Sequence, residues 1–167
     1  MTVEDISKQH NGLFHVPAVF AADMMPILRD PMLEFLEYCG NLRDYTCDVK
    51  VHMLMPNQYP CIPNWHYDMV PRGDDGKQDF SRIDPKASLW LWLSGPPLTT
   101  FEDRIVSPRT WTKFTQRDLH RGQVSTEHTW RLFIRLCPSS ILAPEQDRSK
   151  WVRRHSQVYL DANNFTW

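Results

Sequence analysis

The sequence lacks any apolar run approaching the ~18 residues that a membrane-spanning helix requires, so no transmembrane segment is expected. It also lacks an excess of charge of either sign. The 19 basic and 20 acidic residues nearly cancel and form no like-charged run, which removes the electrostatic footprint of a duplex-DNA or anionic-membrane binder. Its four cysteines, Cys39, Cys47, Cys61 and Cys137, are scattered, with no C-x-x-C pair and no tight spacing of the structural-zinc kind. They are expected to be reduced thiols. Met1-Thr2-Val3-Glu4-Asp5 carries no basic-then-apolar signal pattern, so the expected location is the cytoplasm. Glycine is scarce as well, at six residues against thirteen prolines, which points to short elements joined by stiff turns. With 12% aromatic residues, an all-β or α+β chain follows more easily than a helical bundle. A length of 167 residues suits one domain with one continuous core.

Periodicity places the elements. Asp30 can cap a helix with Pro31 in its first turn and Gly40 at its end, and Met32, Leu33, Leu36 and Cys39 repeat at helical spacing. Residues 48–55 alternate polar and apolar, predicting a strand with Lys50 and His52 on a wet face. Residues 65–70, stopped by Pro71, suggest the next strand, and the polar, turn-rich stretch 72–86 a mobile loop that could act as a lid. Ser88-Leu89-Trp90-Leu91-Trp92-Leu93-Ser94 is the clearest strand, with bulky residues on both faces and hence a central position. Shorter strands are expected near residues 99–102 and 111–115. Residues 129–136 alternate cleanly, with Arg131, Phe133 and Arg135 on one face and Trp130, Leu132, Ile134 and Leu136 on the other.

One constellation carries chemistry. Positions i and i+2 of a strand point the same way, so His66 and Asp68 can reach one ion while Tyr67 faces elsewhere. His120 follows 52 positions after Asp68, enough chain for several antiparallel strands to return beside the first ligands. Two imidazoles and one carboxylate can occupy one face of an Fe(II) ion and leave its other positions open. Arg131 and Arg135, on the strand after His120, would be costly buried without partners, and a dicarboxylate would supply one.

His-x-Asp, a long gap, His and a following Arg resembles the Fe(II)/2-oxoglutarate-dependent dioxygenase superfamily over residues 48–136, and Trp65 before His66 is similar to its phytanoyl-CoA-hydroxylase-like branch. The resemblance implies a mainly β (α+β) fold built on a double-stranded β-helix, a jelly-roll or cupin-like body. Its core would span residues 48–137, with an N-terminal helical flank at 1–47 and a C-terminal extension at 138–167. It implies Fe(II) on His66, Asp68 and His120, with O2 as oxidant. The distal carboxylate of the cosubstrate 2-oxoglutarate would be held by Arg131, and Arg135 would meet cosubstrate or substrate. The activity implied is hydroxylation, with succinate and CO2 as co-products.

The expected substrate is a small organic molecule, anionic if Arg104, Arg109, Arg117 and Arg121 converge on the site; a protein side chain or a nucleobase would need a more open groove. Trp90, Trp92 and Phe133 are candidates for the pocket wall, although aromatic residues at strand spacing are commonly core. His52 reads as a strand-surface residue and His128 as part of a turn. Two alternatives stay open: a jelly-roll binding or assembly protein without metal, oligomeric through its Trp-bearing tail, and a cupin-type metalloenzyme in which Arg131 is only a core ion-pair partner.

Overall fold

The computed structural model describes residues 1–154 and 158–161. It is mainly β, built from antiparallel sheets with short helices. In chain order the elements are α1 (Val3–Ser7), β1 (Gly12–Pro17), α2 (Ala21–Met24), α3 (Arg29–Tyr38), β2 (Tyr45–Leu54), β3 (Gln58–Tyr59), β4 (Leu89–Leu93), β5 (Thr99–Phe101), β6 (Thr112–Phe114), β7 (His120–Gly122), β8 (Thr129–Pro138), β9 (Val152–Arg153) and β10 (Tyr159–Leu160). Six strands form one sheet in the order β6-β4-β8-β2-β1-β9, while β5 pairs with β7 and β10 with β3. No helix among the described residues is long and apolar enough to cross a membrane.

The ten-residue ladder between β2 and β8 is the spine, running from Tyr45 opposite Pro138 to Leu54 opposite Thr129. Alternation on both strands divides the side chains between two environments. Outward go Cys47, Val49, Leu132, Ile134 and Leu136, which join Trp92 and the helical segments in the larger apolar cluster. Inward go Asp48, Lys50 and His52 from β2, facing Arg135, Phe133 and Arg131 from β8 in register. The face expected to be wet is therefore an interior face, and His52, read as a surface residue, is 1% exposed. Alternation reports a period, and which side is covered depends on what packs there.

α3 seals the outer face. The fully buried Phe35 ring meets Tyr45, Trp90 and Trp111 edge-on at 5.1–5.6 Å, and Trp111 Nε1 donates to Pro31 O at 2.8 Å. Burial of such a side chain contributes roughly 1.5–3 kcal/mol. The buried stripe is Pro31, Met32 and Phe35, whereas Leu33 and Leu36 lie on the solvent side at 57% and 49% exposure. Asp30 is not the cap either. A 3-10 turn at Pro26–Leu28 feeds directly into α3, whose N-cap is Leu28.

The flanks are woven into the sheet. β1, from the expected helical flank, pairs with β2, and β2 itself begins at Tyr45. In the C-terminal segment Trp151 is buried, β9 edges the large sheet, and β10 brings Tyr159 to Tyr59. Trp167, part of the tail considered for self-association, lies outside the described residues.

Candidate metal centre

The stretch expected as a strand at 65–70 is an irregular segment with a single bridge, His66 to His120. There the two backbones exchange hydrogen bonds, His66 N donating to His120 O at 2.9 Å and His120 N to His66 O at 3.0 Å. Met69 then adopts φ +58°, a left-handed conformation that is uncommon outside glycine and ends any extended run just after Asp68. The Gln116 side chain, 3% exposed, holds that turn by donating to Met69 O.

Ligand atoms from His66, Asp68 and His120 lie within 4.8 Å of one another. Each imidazole is oriented by a carbonyl: His66 Nδ1 lies 2.9 Å from Asn64 O and His120 Nδ1 3.2 Å from Asp118 O. A carbonyl only accepts, so each Nδ1 carries a proton, which leaves Nε2 as the ring nitrogen available to a metal, the arrangement in which histidines ligate metals. Asp118 is fixed in turn by the Thr115 backbone and hydroxyl. His120 Nε2 stands 3.8 Å from Asp68 Oδ2, too far for a hydrogen bond and suited to two ligands drawn toward one ion. Burial pulls the His120 imidazole below its ordinary value of 6.5, favouring the neutral, metal-binding form.

The two arginines have different surroundings. Arg135 lies between carboxylates, Nη1 donating to Asp68 Oδ2 at 2.9 Å and Nη2 to Asp48 Oδ2 at 2.6 Å. Burial pushes the Asp68 carboxyl up, but Arg135 and His120 more than reverse this, leaving it below the usual carboxylate range. Arg131 is fully buried and donates through Nη2 to Thr99 Oγ1 at 2.7 Å. Its Nε and Nη1 have no hydrogen-bond partner among the described residues, and it makes no ion pair there. Burial lowers this guanidinium to about 10.

Beside the cluster is a cavity of about 100 Å³ whose walls include Lys50, Cys61, Thr99, Phe133, Arg135 and Tyr159 together with His66, Asp68 and His120. Of the aromatic candidates Phe133 lines it. Trp90 and Trp92 belong to the outer cluster, because odd and even residues of β4 take opposite faces and Leu91 takes the inner one. Gly122 lets β7 lie against the wall: a Cβ there would fall 2.6 Å from Cys61 O, and Gly122 N donates to Ile62 O. Arg104, Arg109, Arg117 and Arg121 are not among the cavity residues. Arg104 pairs with Asp103, Arg109 donates to Met1 O, and Arg121 stacks over Trp65 at 4.7 Å. His128 is exposed just before β8, in the expected turn.

Lys50, Cys61, Thr99 and Tyr159 were not among the expected site residues. A signal for Lys50 was present, since it shares its strand face with Asp48 and His52, and those positions sit opposite Arg135 and Arg131 once β2 and β8 are paired. Comparison of the chain with family models, with characterised proteins and with solved structures gives no match. The functional reading therefore rests on the geometry of these side chains.

Proposed function

We propose that the protein is an Fe(II)- and 2-oxoglutarate-dependent dioxygenase that hydroxylates a small organic substrate, with succinate and CO2 as co-products. The observation that carries this reading is the fully buried Arg131 guanidinium, two of whose nitrogens have no hydrogen-bond partner among the described residues and whose Nη2 donates to Thr99, on the same inner face as Arg135, which binds Asp68 of the His-Asp-His cluster. A buried cation without a counter-charge is costly, and a ligand carboxylate would relieve it with charge-assisted hydrogen bonds. A cupin-type enzyme with Arg131 as a core ion-pair partner fits less well, because Arg131 has no carboxylate partner among the described residues.

The residues fit the implied metal. His66 and His120 each present Nε2 and Asp68 a carboxylate oxygen, a mixed donor set suited to ferrous iron. When bound, iron would supply oxygen activation coupled to decarboxylation of 2-oxoglutarate, one oxygen atom entering the substrate and the other succinate. The chain's own task is to hold these ligands, to receive the distal carboxylate on Arg131 and Thr99, and to keep the cosubstrate from water behind Phe133 and Tyr159. Arg135 serves here as a positioning residue for Asp68, tethered from behind by Asp48.

The sheet order supports a double-stranded β-helix. β6, β4, β8 and β2 form four consecutive strands of the large sheet, while β5, β7 and the His66 bridge supply a smaller layer opposite. The test is succinate formation from 2-oxoglutarate with Fe(II) and ascorbate, together with Co(II) absorption as a direct report of metal binding. His66→Ala and His120→Ala are expected to abolish both. Co(II) spectra unchanged in these variants would remove the proposed ligands.

A further inference from the structure

Around the cavity there is one cation more than the proposed cosubstrate needs. Lys50 stands midway along the inner face of β2, opposite Phe133, with its Nζ 5.5 Å from the centre of that ring. It is half-buried, lines the cavity, and makes no ion pair among the described residues. Toward the metal cluster the next row is Asp48 with Arg135, and away from it the next row is His52 with Arg131. Two carboxylates, Asp48 and Asp68, thus face three cations, Lys50, Arg131 and Arg135. The Cys61 thiol is pushed up by burial and adds no charge. Across these five side chains the protein contributes one net positive charge. A divalent ion and a dicarboxylate cancel each other, so that charge survives loading, and Arg135 and Arg131 are by then engaged. It resides on Lys50.

Placement separates Lys50 from the cosubstrate anchor. Arg131 is fully buried behind Thr99, at the far end of the face, whereas Lys50 is one strand repeat nearer the metal, about 7 Å along β2. A group held by Lys50 is therefore close to the ion, and a cavity of about 100 Å³ admits only a small molecule. Resting on the dioxygenase reading, we infer that Lys50 is the specificity-determining residue for the primary substrate, binding the single negative charge of a small monocarboxylate whose chain extends toward His66, Asp68 and His120.

The test uses the full chain loaded with Mn(II) and saturated with 2-oxoglutarate, with trifluorobutyrate and its uncharged amide as probes. Fluorine relaxation by Mn(II) reports entry beside the metal without turnover. The acid is expected to be relaxed at about tenfold lower concentration than the amide, a preference lost in Lys50→Met and retained in Lys50→Arg. Calorimetry should find 2-oxoglutarate affinity in Lys50→Met within about threefold of the parent. Equal relaxation by acid and amide, or a preference that persists in Lys50→Met, would overturn the inference while leaving the dioxygenase reading intact. A loss of about tenfold or more in 2-oxoglutarate affinity would overturn it too, by assigning Lys50 to the cosubstrate. If the Mn(II)-loaded parent binds no 2-oxoglutarate, the dioxygenase reading itself fails.

Discussion

β8 has two faces that obey different rules. Leu132, Ile134 and Leu136, all fully buried, fill space against α3 and the tryptophans. Arg131, Phe133 and Arg135, interleaved with them, take the inner face, where Phe133 and Arg135 line a small cavity and Arg131 is fully buried. One face gains stability by excluding water from apolar surface; the other keeps polar groups in low dielectric, at a cost, around the proposed ligand site. The difference teaches that stability and function are divided residue by residue along a single strand, so single substitutions can separate them.

The largest effect is expected on the apolar side. Phe35→Ala should lose about 3–5 kcal/mol in urea unfolding through the cavity it leaves, while the folded fraction still binds Co(II). Arg135→Met comes next, at roughly 3 kcal/mol, because it strands Asp48 and Asp68 together in a buried site. It should also disturb the Co(II) spectrum, which Phe35→Ala should not. Arg131→Met sharpens the contrast most. It removes a buried charge with no counter-charge among the described residues, so unfolding should change by no more than about 1 kcal/mol while 2-oxoglutarate binding weakens by about 2–5 kcal/mol. A destabilisation as large as that of Phe35→Ala would dissolve the distinction between the faces.

The smallest effect is pH dependence. Burial holds both His15 and His120 below the ordinary 6.5, so on acidification the unfolded chain takes up protons before the folded one does. Stability should therefore decline as pH falls below about 6.5, seen as a lower urea midpoint at about pH 5.5 than at about pH 7.5. Asp68, depressed from 3.8, adds its own loss only at more acidic pH. A midpoint that rose on acidification would contradict the burial of the two histidines.

Much of this was legible in the sequence where period and face coincide. The alternation of β8 and β4 gave the correct faces, and the i, i+2 spacing brought His66 and Asp68 together with His120. Elsewhere local pattern was insufficient. Lys50 and His52 looked wet because polar residues at period two ordinarily face solvent, yet here His52 is buried and Lys50 lines a cavity. Residues 65–70 have the composition of a strand, but the left-handed Met69 ends any extended run after Asp68. In α3, Leu33 and Leu36 compete with Phe35 for the buried side, and the bulkier ring won its place among Tyr45, Trp90 and Trp111. Thr99 and Tyr159 reach the cavity from distant segments, through contacts no local pattern encodes.

The reciprocal main-chain bonds between His66 and His120 bear on how the centre would behave when empty. Since the peptide backbones fix the separation of the two imidazoles, a vacant centre keeps its shape, and chelation followed by reloading becomes a local exchange that involves no refolding. On the dioxygenase proposal, protein stripped of metal should thus recover on simple addition of ferrous salt, making the empty form a ready reserve.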